Sequence, residues 1–120
     1  MARILLADDD AATRDLVRRA LELDGHTVTT ADDGADAQAR LAASGPFDVL
    51  VTDIQMPGID GIALSKGALA ANPKLKVVLM SAHADVLDSA RTLNLAGVRL
   101  LSKPFPIDRM RGEVRASLNQ

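Results

Sequence analysis

Five short apolar runs, each followed by a stretch of helical periodicity, constrain this chain more than any other feature. Residues 2–7 (ARILLA), 26–31 (HTVTTA), 47–52 (FDVLVT), 76–80 (KVVLM) and 98–102 (VRLLS) have the length and composition of strands. After the first, Leu16, Val17, Ala20 and Leu21 recur at helical spacing, and Gly25 supplies a stop. Asp33 is placed to cap a helix over 34–44, which Ser44, Gly45 and Pro46 end. A third helix is predicted from Asp60 to Ala71, stopped by Asn72 and Pro73. Val86, Ala90 and Leu93 mark a fourth, over 84–95 and ended near Gly97. Ile107, Met110, Val114 and Leu118 form one face of a fifth, which Gly112 weakens by about 1 kcal/mol.

Apolar strands separated by crossover helices require a parallel sheet covered on both faces. Right-handed crossovers then give an α/β, doubly wound (βα)5 three-layer sandwich with a five-stranded parallel sheet. The pattern leaves the strand order open. With 120 residues and no linker, repeat or low-complexity segment, the expectation is one domain spanning 1–120.

Composition narrows the partners. No apolar run reaches the roughly 18 residues of a membrane helix, and MARILLADDD does not read as a signal peptide. There is no cysteine, and the two histidines lie far apart, so neither a thiol nucleophile nor a zinc site is expected. A formal net charge of −2 without a basic block, and two Phe without Tyr or Trp, argue against a nucleic-acid surface. The expectation is a cytoplasmic protein without nucleic-acid or membrane partners.

In doubly wound sheets, ligands bind beyond the carboxyl ends of the strands. Those ends deliver Asp8 and Asp9, then Asp53, then Ser81 with Ala82 and His83, and finally Lys103 with Pro104. Singly, each has a plain reading: helix caps for Asp8 to Asp10 and Ser81, a turn cap for Asp53, a solvated lysine for Lys103. Together they set three carboxylates, a hydroxyl and an amine on one rim. Such a cluster repels itself, and the remedies are protonation, a nearby lysine or a hard cation. Oxygen-only ligands point to Mg²⁺ rather than zinc. A carboxylate beside Mg²⁺, facing Lys and Ser donors, suits phosphoryl transfer with Asp53 as nucleophile.

The acid pair after the first strand, TDIQMPGIDG, MSAHA and SKPF, in this order and spacing over nearly the whole chain, resemble the receiver domain of two-component response regulators. The resemblance implies a flavodoxin-like strand order of 2-1-3-4-5. It implies that Asp9 and Asp53 ligate Mg²⁺ with the main-chain carbonyl of Gln55, Asp8 acting mostly through water. Asp53 then accepts a phosphoryl group from a sensor histidine kinase or phosphotransfer protein. Ser81 and Lys103 bind the phosphoryl oxygens, and the Lys103–Pro104 bond is cis. Such a protein catalyses its own phosphorylation and dephosphorylation without being a turnover enzyme.

Leu100 stands where the family usually has Tyr or Phe, so either the usual aromatic switch is altered or Leu100 is one more core residue. Gln55 and His83 flank the path of the hydrolysing water and are read as modulators of phosphate lifetime; the plain alternative for His83 is an exposed loop residue. His26 carries no role, and Asp10 is a cap rather than a ligand. With the chain ending at Gln120, the signal is expected to pass to a separate protein docking on the 84–118 face, where Val86, Leu87, Arg99 and Arg109 are candidate contacts. MARILLADDD, NPKLKVV and RLLSKPF further resemble stand-alone receivers that act as adaptors for an ATP-dependent protease; a phosphate-shuttling receiver is equally admissible. Monomer and weak homodimer remain open.

Three rivals fit less well. A haloacid-dehalogenase-type phosphatase needs an aspartate where Gln55 stands. A nucleotide-binding domain needs a Gly-rich first loop where Asp8, Asp9 and Asp10 stand. A pseudo-receiver would not need the full set of Asp53, Ser81 and Lys103.

Overall fold

The computed structural model describes residues 1–92 and 97–119. Strands and helices alternate in the expected order: β1 (Arg3–Ala7), α1 (Ala11–Leu23), β2 (Thr27–Ala31), α2 (Gly34–Ser44), β3 (Val49–Asp53), α3 (Gly61–Ala71), β4 (Lys76–Ser81), α4 (Ala84–Thr92), β5 (Val98–Ser102) and α5 (Ile107–Leu118). All strand pairs are parallel, in the order β2-β1-β3-β4-β5. The doubly wound sandwich and the strand order implied by the resemblance are both present.

Strand pleating divides the core into two. Leu5, Leu50, Val77 and Leu79 point to the α2–α3–α4 face, where they meet Leu64, Ala68 and Leu87. Their neighbours Ile4, Leu6, Val49, Val51, Val78 and Met80 point to the other face and pack on Val17, Leu21, Met110 and Val114. The inner strands β1, β3 and β4 are therefore buried along nearly their whole length, with only Arg3 exposed and Lys76 half-buried at their starts. The outer strands β2 and β5 are half-buried, and β2 carries three threonines.

Boundaries move by one or two residues. Phe47 and Asp48 precede β3 rather than opening it, and β3 and β4 extend to Asp53 and Ser81. Helices α1, α2 and α3 begin where short acids accept from free N–H groups: Asp10 from Ala12, Asp33 from Asp36 and Asp60 from Ala63, at 3.2, 2.7 and 2.8 Å. Two apolar positions are misplaced by the periodicity. Leu16 is 57% exposed, since α1 buries only the Val17–Ala20–Leu21 side, and Leu118 reaches solvent at the last turn of α5. Leu93 and the predicted end of the fourth helix lie outside the described residues.

Candidate functional site at the carboxyl edge of the sheet

The parallel register brings the strand ends into one row. Ala7 pairs with Thr52 one residue before Asp53, Asp53 with Met80, and Ser81 with Ser102. Backbone bonds continue past the strands: Ile54 N–H donates to the Met80 carbonyl at 2.9 Å, and Lys103 N–H to the Ser81 carbonyl at 2.8 Å. The rim residues are thus fixed by the sheet itself, and this is why residues far apart in sequence meet there.

Carboxylate oxygens of Asp8, Asp9 and Asp53 lie within 4.8 Å of one another. Asp8 is fully buried and Asp53 nearly so, whereas Asp9 faces solvent. Lys103 enters this cluster from the β5–α5 loop, its Nζ 2.9 Å from Asp8 Oδ2 and 3.3 Å from Asp53 Oδ2. The other Asp8 oxygen accepts from Asp10 N–H at 2.9 Å. Asp10 is an N-cap, as expected, and also accepts from the Thr13 hydroxyl at 2.6 Å.

Electrostatics follow from this packing. Burial pushes the Asp53 carboxyl above the ordinary carboxylate range; Asp8 and Asp9 add to the rise and Lys103 opposes it. Burial alone would lower the Lys103 ammonium, but the hydrogen bond and charge of Asp8, then those of Asp53, hold it above its usual value. Three oxygen donors grouped this closely, with burial disfavouring the charge on Asp53, fit a hard divalent cation.

The Ser81 hydroxyl is buried, accepts from His83 N–H at 3.0 Å and lies 3.5 Å from the His83 carbonyl. It shapes the turn into α4 rather than capping the helix from a distance. The side chains of Gln55 and His83 are exposed, and Pro104 is exposed after a cis Lys103–Pro104 bond. Leu100 is half-buried against the cluster that contains Leu79 and Leu87. His26 accepts from Ala2 N–H at 3.2 Å, a packing role on the opposite side of the sheet from the rim.

Among the docking candidates, Leu87 is only 4% exposed and belongs to the core, so it presents no contact surface. Arg99 and Arg109 both pair with Glu113, at 2.5 and 3.4 Å.

Two contributors were not anticipated. Arg14 donates to the Asp8 carbonyl at 2.6 Å and so holds the β1–α1 turn. A cation in the opening turns of a helix opposes the dipole, and that was the available signal. Gly61 is the other: a Cβ there would lie 2.2 Å from the Asp53 carbonyl oxygen. A glycine directly after an N-cap aspartate, where alanine is the better helix former, hinted at this close approach.

Five parallel strands with an acid cluster, a lysine and a hydroxyl on the carboxyl rim make this a receiver-like α/β domain. The match to the response regulator receiver domain family covers residues 4–115, and the chain belongs to that family. It is 39% identical over 118 residues to the response regulator receiver protein CpdR of Brucella abortus (strain 2308), covering 98% of both chains. It is 40% identical over 105 residues to the DNA-binding transcriptional regulator NtrC of Escherichia coli (strain K12), covering 88% of this chain and 22% of that regulator, so the chain spans about a fifth of that relative's length. Among solved structures, the response regulator protein TrrA from Thermotoga maritima in complex with Mg(2+)-BeF superposes with a TM-score of 0.86. It is 27% identical, covering 98% of this chain and all of that one. Among the described residues, no helix is long and apolar enough to cross a membrane.

Proposed function

We propose that Asp53 accepts a phosphoryl group from a histidine kinase or phosphotransfer protein, and that the phosphorylated domain is read by a separate protein. The observation that carries this is the Asp53 carboxylate at the end of the central strand, grouped with Asp8 and Asp9 and 3.3 Å from the Lys103 ammonium.

In the proposed transfer, an Asp53 oxygen attacks phosphorus, the O–P bond forms, and the P–N bond to the donor imidazole breaks. Burial keeps water from the carboxylate, and its raised affinity for protons marks an oxygen whose negative charge is poorly solvated. Lys103 turns from the carboxylates to a phosphoryl oxygen, and the Ser81 hydroxyl donates to another. Asp8, Asp9, Asp53 and the Gln55 carbonyl would hold Mg²⁺. Bound there, the ion supplies neutralisation of charge on the transferred group. The complex of the Thermotoga relative with Mg(2+)-BeF supports this choice of cation.

The signal would leave through α4, β5 and α5. Leu100 and its aliphatic neighbours take the place of an aromatic switch, and Gln55 and His83 border the site from solvent, where they would set phosphate lifetime. The adaptor reading is supported by the end-to-end match with the Brucella protein. A domain on the cytoplasmic side, where such kinases phosphorylate their partners, fits this role.

Intact-mass spectrometry after incubation with Mg²⁺ and acetyl phosphate, comparing wild type with Asp53→Asn, tests the proposal. One phosphoryl adduct in wild type, lost on chelation of Mg²⁺ during the incubation and missing from the variant, is expected. An adduct that persists in Asp53→Asn would place the acceptor elsewhere. No adduct from any donor, with no Mg²⁺ binding, would make the domain an interaction module only.

A further inference from the structure

The loop between β3 and α3 carries Gln55, two residues after Asp53, and three contacts hold it. Gly61 N–H closes its neck on the Ile54 carbonyl at 2.7 Å. Buried Met56 fills its inner side, with the sulfur 3.9 Å from the Thr52 hydroxyl. The third contact comes from another element: Ile59 is seated against Gly34, the first residue of α2.

A Cβ on Gly34 would lie 2.1 Å from the Ile59 carbonyl oxygen and 2.7 Å from the Ile59 Cβ. Dihedral angles do not require glycine there, since the glycines with positive φ are Gly25, Gly58 and Gly97. Helix propensity argues against glycine at the start of α2, which Asp33 already caps. Gly34 is needed because the Ile59 peptide occupies the place of its side chain.

We infer that Gly34 is a positioning residue for the cation site: by admitting the Ile59 peptide, it sets where the loop presents the Gln55 carbonyl beside Asp53. The inference rests on the Mg²⁺ reading above. Alanine at Gly34 drives the Ile59 peptide outward by about 1 Å, since packed backbone does not tolerate overlap. Gln55 lies between that neck and Ile59 on the same loop, so a displacement at Ile59 is passed back along the backbone to the Gln55 peptide. Asp53 stays on β3, and Asp8 and Asp9 stay in the turn after β1, which Ile59 does not touch. A carbonyl ligand is thus displaced while the carboxylates remain.

The test uses Gly67→Ala/Gly112→Ala as a stabilised background, because a Cβ at either glycine meets nothing within 4 Å. Gly34→Ala is made in wild type and in that background, and Mg²⁺ alone is titrated by amide NMR. Expected is a rise of about tenfold in the Mg²⁺ dissociation constant in both contexts. Before Mg²⁺ is added, amide shifts of residues 54–60 should already differ. The background should restore Tm without restoring affinity. Unchanged affinity in Gly34→Ala, or affinity that recovers along with Tm, overturns the inference. Wild type that fails to bind Mg²⁺ overturns the cation reading and this inference with it.

Discussion

Lys103 and Asp8, 95 residues apart, form the tighter of the two ion pairs in the acid cluster: 2.9 Å, against 3.3 Å from Lys103 to Asp53. Asp8 has no exposure to water, so Lys103 is the cation that makes its burial tolerable. Replacing Lys103 with Met leaves a buried carboxylate without its partner and is expected to destabilise the metal-free protein by about 2–3 kcal/mol. Saturating Mg²⁺ should recover part of that loss, because without the competing ammonium the carboxylates bind the cation more tightly in the variant than in wild type, and the folded state gains that difference. Urea unfolding of wild type and Lys103→Met, each with and without Mg²⁺, measures both effects. An equal deficit under both conditions would mean that the ion and the ammonium do not serve the same carboxylates.

Asp53 is stability lost in favour of the site. Its carboxyl is held above its ordinary value of 3.8, chiefly by burial. The unfolded chain therefore ionises first as pH rises, and the fold loses stability from about that ordinary value until the raised folded value is passed. Asp53→Asn removes this ionisation. Its metal-free Tm should exceed that of wild type by a few degrees near neutral pH, with the gap closing toward pH 4. Thermal scans from acid to neutral pH in the presence of a chelator measure it. A gap that stays constant over that range would contradict the assignment of Asp53 as the strained charge.

The opposite sign holds at the far end of α1. Arg111 of α5 grips Asp24 through two bonds of 2.9 and 2.5 Å, tying the last helix to the first. The guanidinium holds the Asp24 carboxyl below its ordinary value of 3.8. Its contribution is present above that value and disappears as pH falls through the lowered one. Arg111→Ala is expected to lower Tm at neutral pH and to approach wild type as pH drops below about 4. Parallel melts of the two proteins at a few acidic pH values decide it.

Much of this was legible in the sequence, and the reasons are particular. Asp8, Asp53, Ser81 and Lys103 were placed on one rim because a parallel sheet sends every strand's carboxyl end to the same side. Asp33 read as a cap because a short side-chain oxygen before a helix has few other uses. Strand order came from the family resemblance, since periodicity carries no information on which strands are neighbours. Arg14, Gly34 and Gly61 escaped because each acts on a main-chain carbonyl, and a residue that is unfavourable where it stands signals a local demand without naming the carbonyl that makes it. Leu87 was misread as a contact surface for a related reason: helical spacing says which residues share a face, but not which face is covered.

Leu16 and Leu87 turn that last point into a measurement. Both are leucines on amphipathic helices, yet Leu16 is 57% exposed and Leu87 only 4%. Leu87 packs among Leu79, Ala90 and Leu100 on the α4 side of the sheet. Truncation there removes buried methyl groups and leaves a void between α4 and β4. Leu87→Ala should therefore cost about 3 kcal/mol. Leu16 borders a shallow groove of ≈ 410 Å³ with Pro104 and Phe105, and it gives up little transfer free energy on truncation. Leu16→Ala should cost under about 0.5 kcal/mol, as surface changes usually do. Chemical denaturation of the two variants separates them, and similar losses would show that α1 buries a wider face than Val17, Ala20 and Leu21.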